Sequence, residues 1–207
     1  MLENYAKNED GIIYQVNREP FKYDEFYLKH YKNMGSLLQP TSMLRLGYII
    51  GSIGKIPTSL LDVGYGNAAF LNSSRPLIPK LYGNDVARQL LPDGVEYVED
   101  IMEEKYDVIT FFDSLEHMED IEFVKDLKCN YICVSLPWCH YFNDEWFESW
   151  KHRKPDEHLW HFNKGSLEKF MTRMGYETID ICNLEDATRD NGEKYENILT
   201  GIFKKIK

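Results

Sequence analysis

From residue 59 onward the chain is a series of short apolar runs separated by turns: SLLDV (59–63), KLYGND (80–85), VEYVED (95–100), DVITFF (107–112) and YICVSL (131–136). Several are apolar at consecutive positions instead of alternating, the pattern of strands covered on both faces. Such strands need layers above and below them, so the series predicts an α/β fold built on a mainly parallel sheet. Helix-period segments fit between and after the strands. Ile121, Val124 and Leu127 predict a helix over 118–128, and Leu167, Phe170, Met171 and Met174 another over 165–174, with Gly175 at its C-cap. YETIDICNL (176–184) and ENILTGIFKK (196–205) read as two closing strands, and the polar EDATRDNGEKY between them suits a hairpin connection.

Two helices are expected before the first convincing strand. Tyr23, Phe26, Tyr27, His30, Tyr31, Met34, Leu37 and Leu38 fall on one face of a helix over 21–38. Pro40 ends it, and Thr41 or Ser42 caps a second helix carrying Met43, Leu44, Leu46, Gly47 and Ile50. No linker or repeat divides the 207 residues, which predicts a single domain over 1–207, with 1–56 as a helical cap and 138–163 as a candidate substrate lid.

The net charge of −10 disfavours nucleic acid, whose binders concentrate positive charge. No apolar run is long enough to span a bilayer, and the polar start MLENYAKNEDG is unlike a secretory signal. A cytoplasmic protein with reduced, buried Cys129, Cys133, Cys139 and Cys182 is the expectation. Nothing in the sequence assigns an oligomeric state.

LDVGYGNAAF (61–70) is the strongest local signal. Gly64 and Gly66 follow a buried strand and let the backbone approach a ligand closely. Asp62 precedes the loop, and Asp85 closes the next strand, where a carboxylate accepts from the hydroxyls of an adenosine ribose. Counting Ala69 gives a G-x-G-x-x-A string, as in dinucleotide folds, but Asp62 beside the loop repels phosphate and suits a ligand with a positive amino group.

The chain here resembles the class I S-adenosylmethionine-dependent methyltransferases. LLDVGYGNAAF is similar to their first motif, LYGNDVA to the second, and VEYVEDIMEEKYDVITFFDSLEHMED to the third and fourth. YICVSLPW resembles the next strand and its proline. WKHRKPDEHLWHFNKGSLEKFMTRMGYETI resembles the "H-l-x-x-F" tail of one subgroup acting on small molecules and glycan precursors. The resemblance implies a Rossmann-like seven-stranded sheet with helices on both faces and a C-terminal antiparallel hairpin. It also implies that S-adenosylmethionine is the cofactor. Asp62, Gly64 and Gly66 would surround its methionine portion, Asp85 hold the ribose, Val86 and Ile101 flank the adenine, and Asp100 accept from the adenine amino group. Phe112 and Asp113 would lie near the sulfonium. Two departures stand out: Tyr65 at a usually small position and Ala68 at the third glycine.

The implied activity is methyl transfer to an oxygen or nitrogen of a small-molecule or glycan-type acceptor. The alternative is an inactive relative that keeps the fold for binding or regulation. A dinucleotide-dependent oxidoreductase is a third reading, weakened by Asp62 and the missing third glycine. The residue FFDSLEH after the fourth strand is unlike the N-P-P-Y element of enzymes that methylate DNA bases. His117 and His158 are the candidate catalytic bases, with Asp113 and Glu116 beside His117. Each histidine also reads as a loop anchor. The rings Trp138, Tyr141, Phe142, Trp146, Phe147, Trp150 and Trp160 suit an acceptor wall or a packed lid equally. No metal is expected, because an H-x-x-H cluster of His158 and His161 with Cys139 or His140 matches no standard zinc spacing.

Overall fold

The computed structural model describes residues 2–17, 19, 38–189, 192 and 194–206. Within them the elements are β1 (Tyr5–Lys7), β2 (Ile13–Gln15), α1 (Leu38–Ile53), β3 (Leu60–Val63), α2 (Ala69–Ser74), β4 (Leu81–Asn84), β5 (Val95–Tyr97), β6 (Tyr106–Phe112), β7 (Cys129–Pro137), α3 (Asp144–Ser149), β8 (Trp160–His161), α4 (Lys164–Arg173), β9 (Tyr176–Cys182) and β10 (Ile198–Lys205).

Seven strands form one sheet in the order β5-β4-β3-β6-β7-β10-β9. The strands from β5 to β7 run parallel, and β10 pairs antiparallel with both β7 and β9. The expected Rossmann-like sheet with its closing hairpin is therefore present. Its central strands are buried throughout, from Leu60 to Val63 and from Tyr106 to Phe112. Successive side chains of a strand point to opposite faces. Leu61, Val63, Ile109, Phe111, Ile132 and Val134 accordingly pack on one side with Leu167, Phe170 and Met171 of α4. Leu60, Val108 and Cys133 pack on the other with Leu46 and Ile49 of α1 and Phe70 and Leu71 of α2. This two-sided cover explains why the strands read as unbroken apolar runs.

The helix α4 starts where the sequence supplies a reciprocal cap: Asn163 accepts from the Ser166 amide while Ser166 accepts from the Asn163 amide. The helix α1 begins before Pro40, which sits in its first turn, where a missing N–H costs nothing. Thr41 and Ser42 are therefore inside the helix and do not cap it, and Thr41 instead bonds Thr188, 2.8 Å away. The helix expected over 21–38 lies outside the described residues. The one expected over 118–128 is not an α-helix. Its residues hold a short 3-10 turn, Glu122–Asp126, the second of two such turns between β6 and β7. Spacings of three at Ile121, Val124 and Leu127 fit its three-residue period as well as the α-helical one.

Within the region read as a helical cap, residues 5–15 form the antiparallel hairpin β1–β2. Its second strand pairs with β8 to give a separate three-stranded sheet. Tyr5, Ile13, Cys139, Phe147 and Trp150 make a small core beneath it. The inner rings of the 138–162 segment thus pack against the hairpin, while Phe142 stays 60% exposed. No helix among the described residues is long and apolar enough to cross a membrane.

Candidate active site

The loop after β3 is held from three directions. The Gly64 amide donates to the Asn84 carbonyl at 2.7 Å, tying the loop to the end of β4. A Cβ on Gly64 would lie 2.5 Å from the Ser114 Cβ, and its φ of +79° disfavours a side chain as well. The loop after β6 therefore packs directly against the glycine loop, and the Ser114 hydroxyl donates to the Val63 carbonyl across that contact. Gly66 has open space where its Cβ would be, with a φ of +53°. Ala68 takes the left-handed backbone (φ 59°, ψ 22°) that the family's third glycine would adopt without strain. Tyr65 does not crowd this opening. It is buried against the Gly83 backbone and donates to the Gln89 carbonyl at 2.6 Å.

Asp85 follows β4. One carboxylate oxygen accepts from the Gly66 amide at 2.8 Å, the other from the Ala87 amide at 2.7 Å. A carboxylate has about four lone-pair sites, so two remain for a ligand's hydroxyls. Val86 beside it is 78% exposed, an apolar surface at the strand end. Asn84 donates to the carbonyls of Val98 and Glu99, which brings the chain after β5 to this side. There Ile101 is half-buried, and the exposed Asp100 accepts from the Met102 amide. Tyr97 donates to the Asp85 carbonyl, a contact the sequence did not reveal. Asp62 lies beneath the loop and accepts from Thr110 at 2.7 Å. Burial pushes its carboxyl up to about 6, against the Thr110 hydrogen bond.

Phe112 and Asp113 end β6. The Arg45 guanidinium of α1 sits 4.2 Å above the Phe112 ring. Asp113 has a φ of +54° and is gripped by two arginines: Arg45 at 3.0 Å, and Arg189 at 2.8 and 2.9 Å. Both arginines also bond the fully buried Glu185, Arg45 at 2.6 and 2.8 Å and Arg189 at 2.9 Å. Burial pushes the Asp113 carboxyl up, but Arg189 and Arg45 overcome this and hold it well below the usual range. Arg45, Glu185 and Arg189 had no signal in the sequence, because the cluster joins α1 to the connection between β9 and β10.

Glu116 and His117 follow in a 3-10 turn, Leu115–His117. His158 stands against His117 with ring centroids 4.6 Å apart. Glu116 is 1% exposed, and among the described residues neither of its carboxylate oxygens has a partner, nor does Nδ1 of His117. Burial, with a contribution from the Asp113 charge, pushes Glu116 up to about 8. Burial also lowers His117, and lowers His158 to about 2 with help from His117 and Lys154. Both shifts favour the neutral imidazole.

The other histidines among the described residues do not join this pair. His161 packs among Tyr5, Phe147 and Trp150, and His140 bonds the Glu196 carbonyl. His152 bonds the Asn197 side chain. Cys139 is buried in the hairpin's core, so the H-x-x-H grouping considered from spacing does not assemble.

A parallel sheet with a glycine loop after its first parallel strand and an acid after the next defines a nucleoside-binding α/β protein. A family profile described as "Methyltransferase domain" matches residues 32–181, and the chain belongs to that family. Its activity class is S-adenosylmethionine-dependent methyl transfer, as the sequence resemblance implies. No curated protein matches the sequence. Solved structures share the fold at low identity. The plantazolicin methyltransferase BpumL, solved with a desmethyl plantazolicin analog and S-adenosylhomocysteine, is 16% identical, with a TM-score of 0.59 over 89% of this chain and 91% of its own. Magnesium protoporphyrin IX methyltransferase of Synechocystis PCC 6803, with bound S-adenosylhomocysteine, is 12% identical, with a TM-score of 0.56 over 91% and 90%. The [4+2]-cyclase SpnF is 16% identical, with a TM-score of 0.54 over 78% and 79%.

Proposed function

We propose that this chain methylates an oxygen or nitrogen of a small-molecule or glycan-type acceptor, with the methyl donor bound across the loop after β3. S-adenosylmethionine, when bound, supplies an electrophilic methyl group on a sulfonium. The observation that carries the reading is Asp85, whose two oxygens are fixed by the Gly66 and Ala87 amides beside the open backbone of Gly66. That arrangement offers acceptors to a ribose and excludes a phosphate.

Around it, Asp62, Gly64 and Gly66 serve the methionine portion, and the buried Asp62 gains from a neighbouring positive amino group. Val86 and Ile101 flank the adenine, Asp100 accepts from its amino group, and Phe112 with Asp113 borders the sulfonium. His117 and His158 face the acceptor as neutral imidazoles that orient it, and the strong lowering of His158 leaves His117 as the better proton acceptor of the two. The enzyme's main task is to align acceptor and methyl group.

Calorimetric titration with S-adenosylmethionine, S-adenosylhomocysteine and NAD tests the reading. Saturable binding of the two sulfur ligands and not of NAD is expected. Asp85→Ala, still folded by its melting curve, should weaken binding about tenfold to a hundredfold, the worth of charge-assisted hydrogen bonds. Binding of NAD alone, or undiminished affinity in Asp85→Ala, refutes it.

A further inference from the structure

We infer that Glu116, His117 and His158 form a site for one divalent first-row transition ion, such as Mn2+ or Zn2+. One potential ligand atom from each residue lies within 4.8 Å of the others. Small side-chain rotations bring such atoms to the ~3–3.5 Å mutual spacing that metal–ligand bonds of about 2.1 Å require. Two imidazoles and a carboxylate are a donor set that zinc, manganese and ferrous iron accept.

Three independent features point to a ligand at this place. Glu116 is almost completely buried and both its oxygens lack partners among the described residues, although buried carboxylates are otherwise paired. The other carboxylates nearby are satisfied: Asp113 by two arginines and Glu185 by the same two. Nδ1 of His117 is likewise buried without a partner. Finally, Nδ1 of His158 donates to the His152 carbonyl at 2.8 Å, which leaves the Nε2 lone pair free. Fixing one ring nitrogen on a backbone carbonyl is how proteins orient a metal-ligating histidine.

Oε1 of Glu157 lies 4.0 Å from Nε2 of His158 and is paired with Lys154 at 3.0 Å. The dication would neutralise Glu116, and three protein ligands leave coordination positions for water or for acceptor lone pairs. The Ser114–Gly64 contact puts this turn against the glycine loop, so the ion would sit on the acceptor side. That placement rests on the methyltransferase reading, whereas the ion site itself does not.

The test uses the full chain stripped of metal with a chelator and then freed of the chelator. Mn2+ is titrated with paramagnetic resonance to count bound ions, and Zn2+ by calorimetry. One ion per chain is expected, with affinity falling about tenfold to a hundredfold or more in Glu116→Gln and in His158→Gln. The glutamine variants keep side-chain volume near that of the parent, and either one suffices if the other does not fold. No stoichiometric ion, or equal affinity in a folded variant and the parent protein, overturns the proposal. S-adenosylhomocysteine titrated into the same metal-free protein reports separately on the cofactor site, so the two readings fail independently.

Discussion

Asp113 and Glu116 stand three residues apart on the loop after β6, and burial raises both carboxyls, yet they end in opposite states. Asp113 meets two guanidinium groups and is held ionised, while Glu116 meets none and is pushed up to about 8. Neighbouring positions on one turn therefore separate two uses of a buried acid. The first is a four-member ionic cluster, with two arginines against Asp113 and Glu185, which fastens α1 and the β9–β10 connection to the end of the central strand. The second is an unsatisfied donor set with no structural reason to be charged. A paired buried acid holds elements together, whereas an unpaired one is a cost that a ligand can remove.

Breaking the paired side should give the larger effect. Arg45→Ala leaves Glu185 fully buried with only Arg189, and stability should fall by about 3–5 kcal/mol in denaturant titration. A loss under about 1 kcal/mol would show that the cluster is not holding the fold. Acid acts on the same side of the contrast. The folded-state value of Asp113 is depressed, so its stabilisation is present above the unfolded carboxylate value of about 4 and is lost as pH falls below it. Denaturation midpoints measured from pH 6 downward should therefore drop, and Asp113→Asn should flatten that slope. A variant slope equal to the parent's would place the acid sensitivity elsewhere. The smallest loss is expected at the unpaired side: Glu116→Gln should cost the metal-free protein less than about 1 kcal/mol at acid pH and should stabilise it near neutral pH, where the raised Glu116 carboxyl resists ionisation. A larger loss would reveal a structural role for this carboxylate and weaken the contrast with Asp113.

The sheet and its strand-end positions were legible because their signals are local. Leu60 to Val63 and Tyr106 to Phe112 are buried throughout, and Asp62, Gly64, Gly66 and Asp85 sit at strand ends that an apolar run announces. The reading over 118–128 failed because three apolar residues at spacings of three do not distinguish a 3-10 turn from an α-helix. β1 and β2 have three residues each, too short to show a period. The ionic cluster was hidden for another reason. Arg45, Asp113 and Arg189 are distant in sequence, and the polar run EDATRDNGEKY looks like an ordinary connection although Glu185 is completely buried. Glu116 was named only as a neighbour of His117, since its isolation becomes visible only once everything around it is placed.

The small sheet carries a consequence for the order in which the molecule assembles. β2 is made near the start of synthesis but waits for Trp160 and His161 to be translated before it gains its second partner. Closing a loop that long has an entropic cost that few contacts repay. The hairpin, Phe147, Trp150 and the segment carrying His158 should thus consolidate together and late, upon a parallel sheet that is already formed. A nascent chain would first acquire the glycine loop and the strand ends around it, and only afterwards the hairpin and the rings packed beneath it.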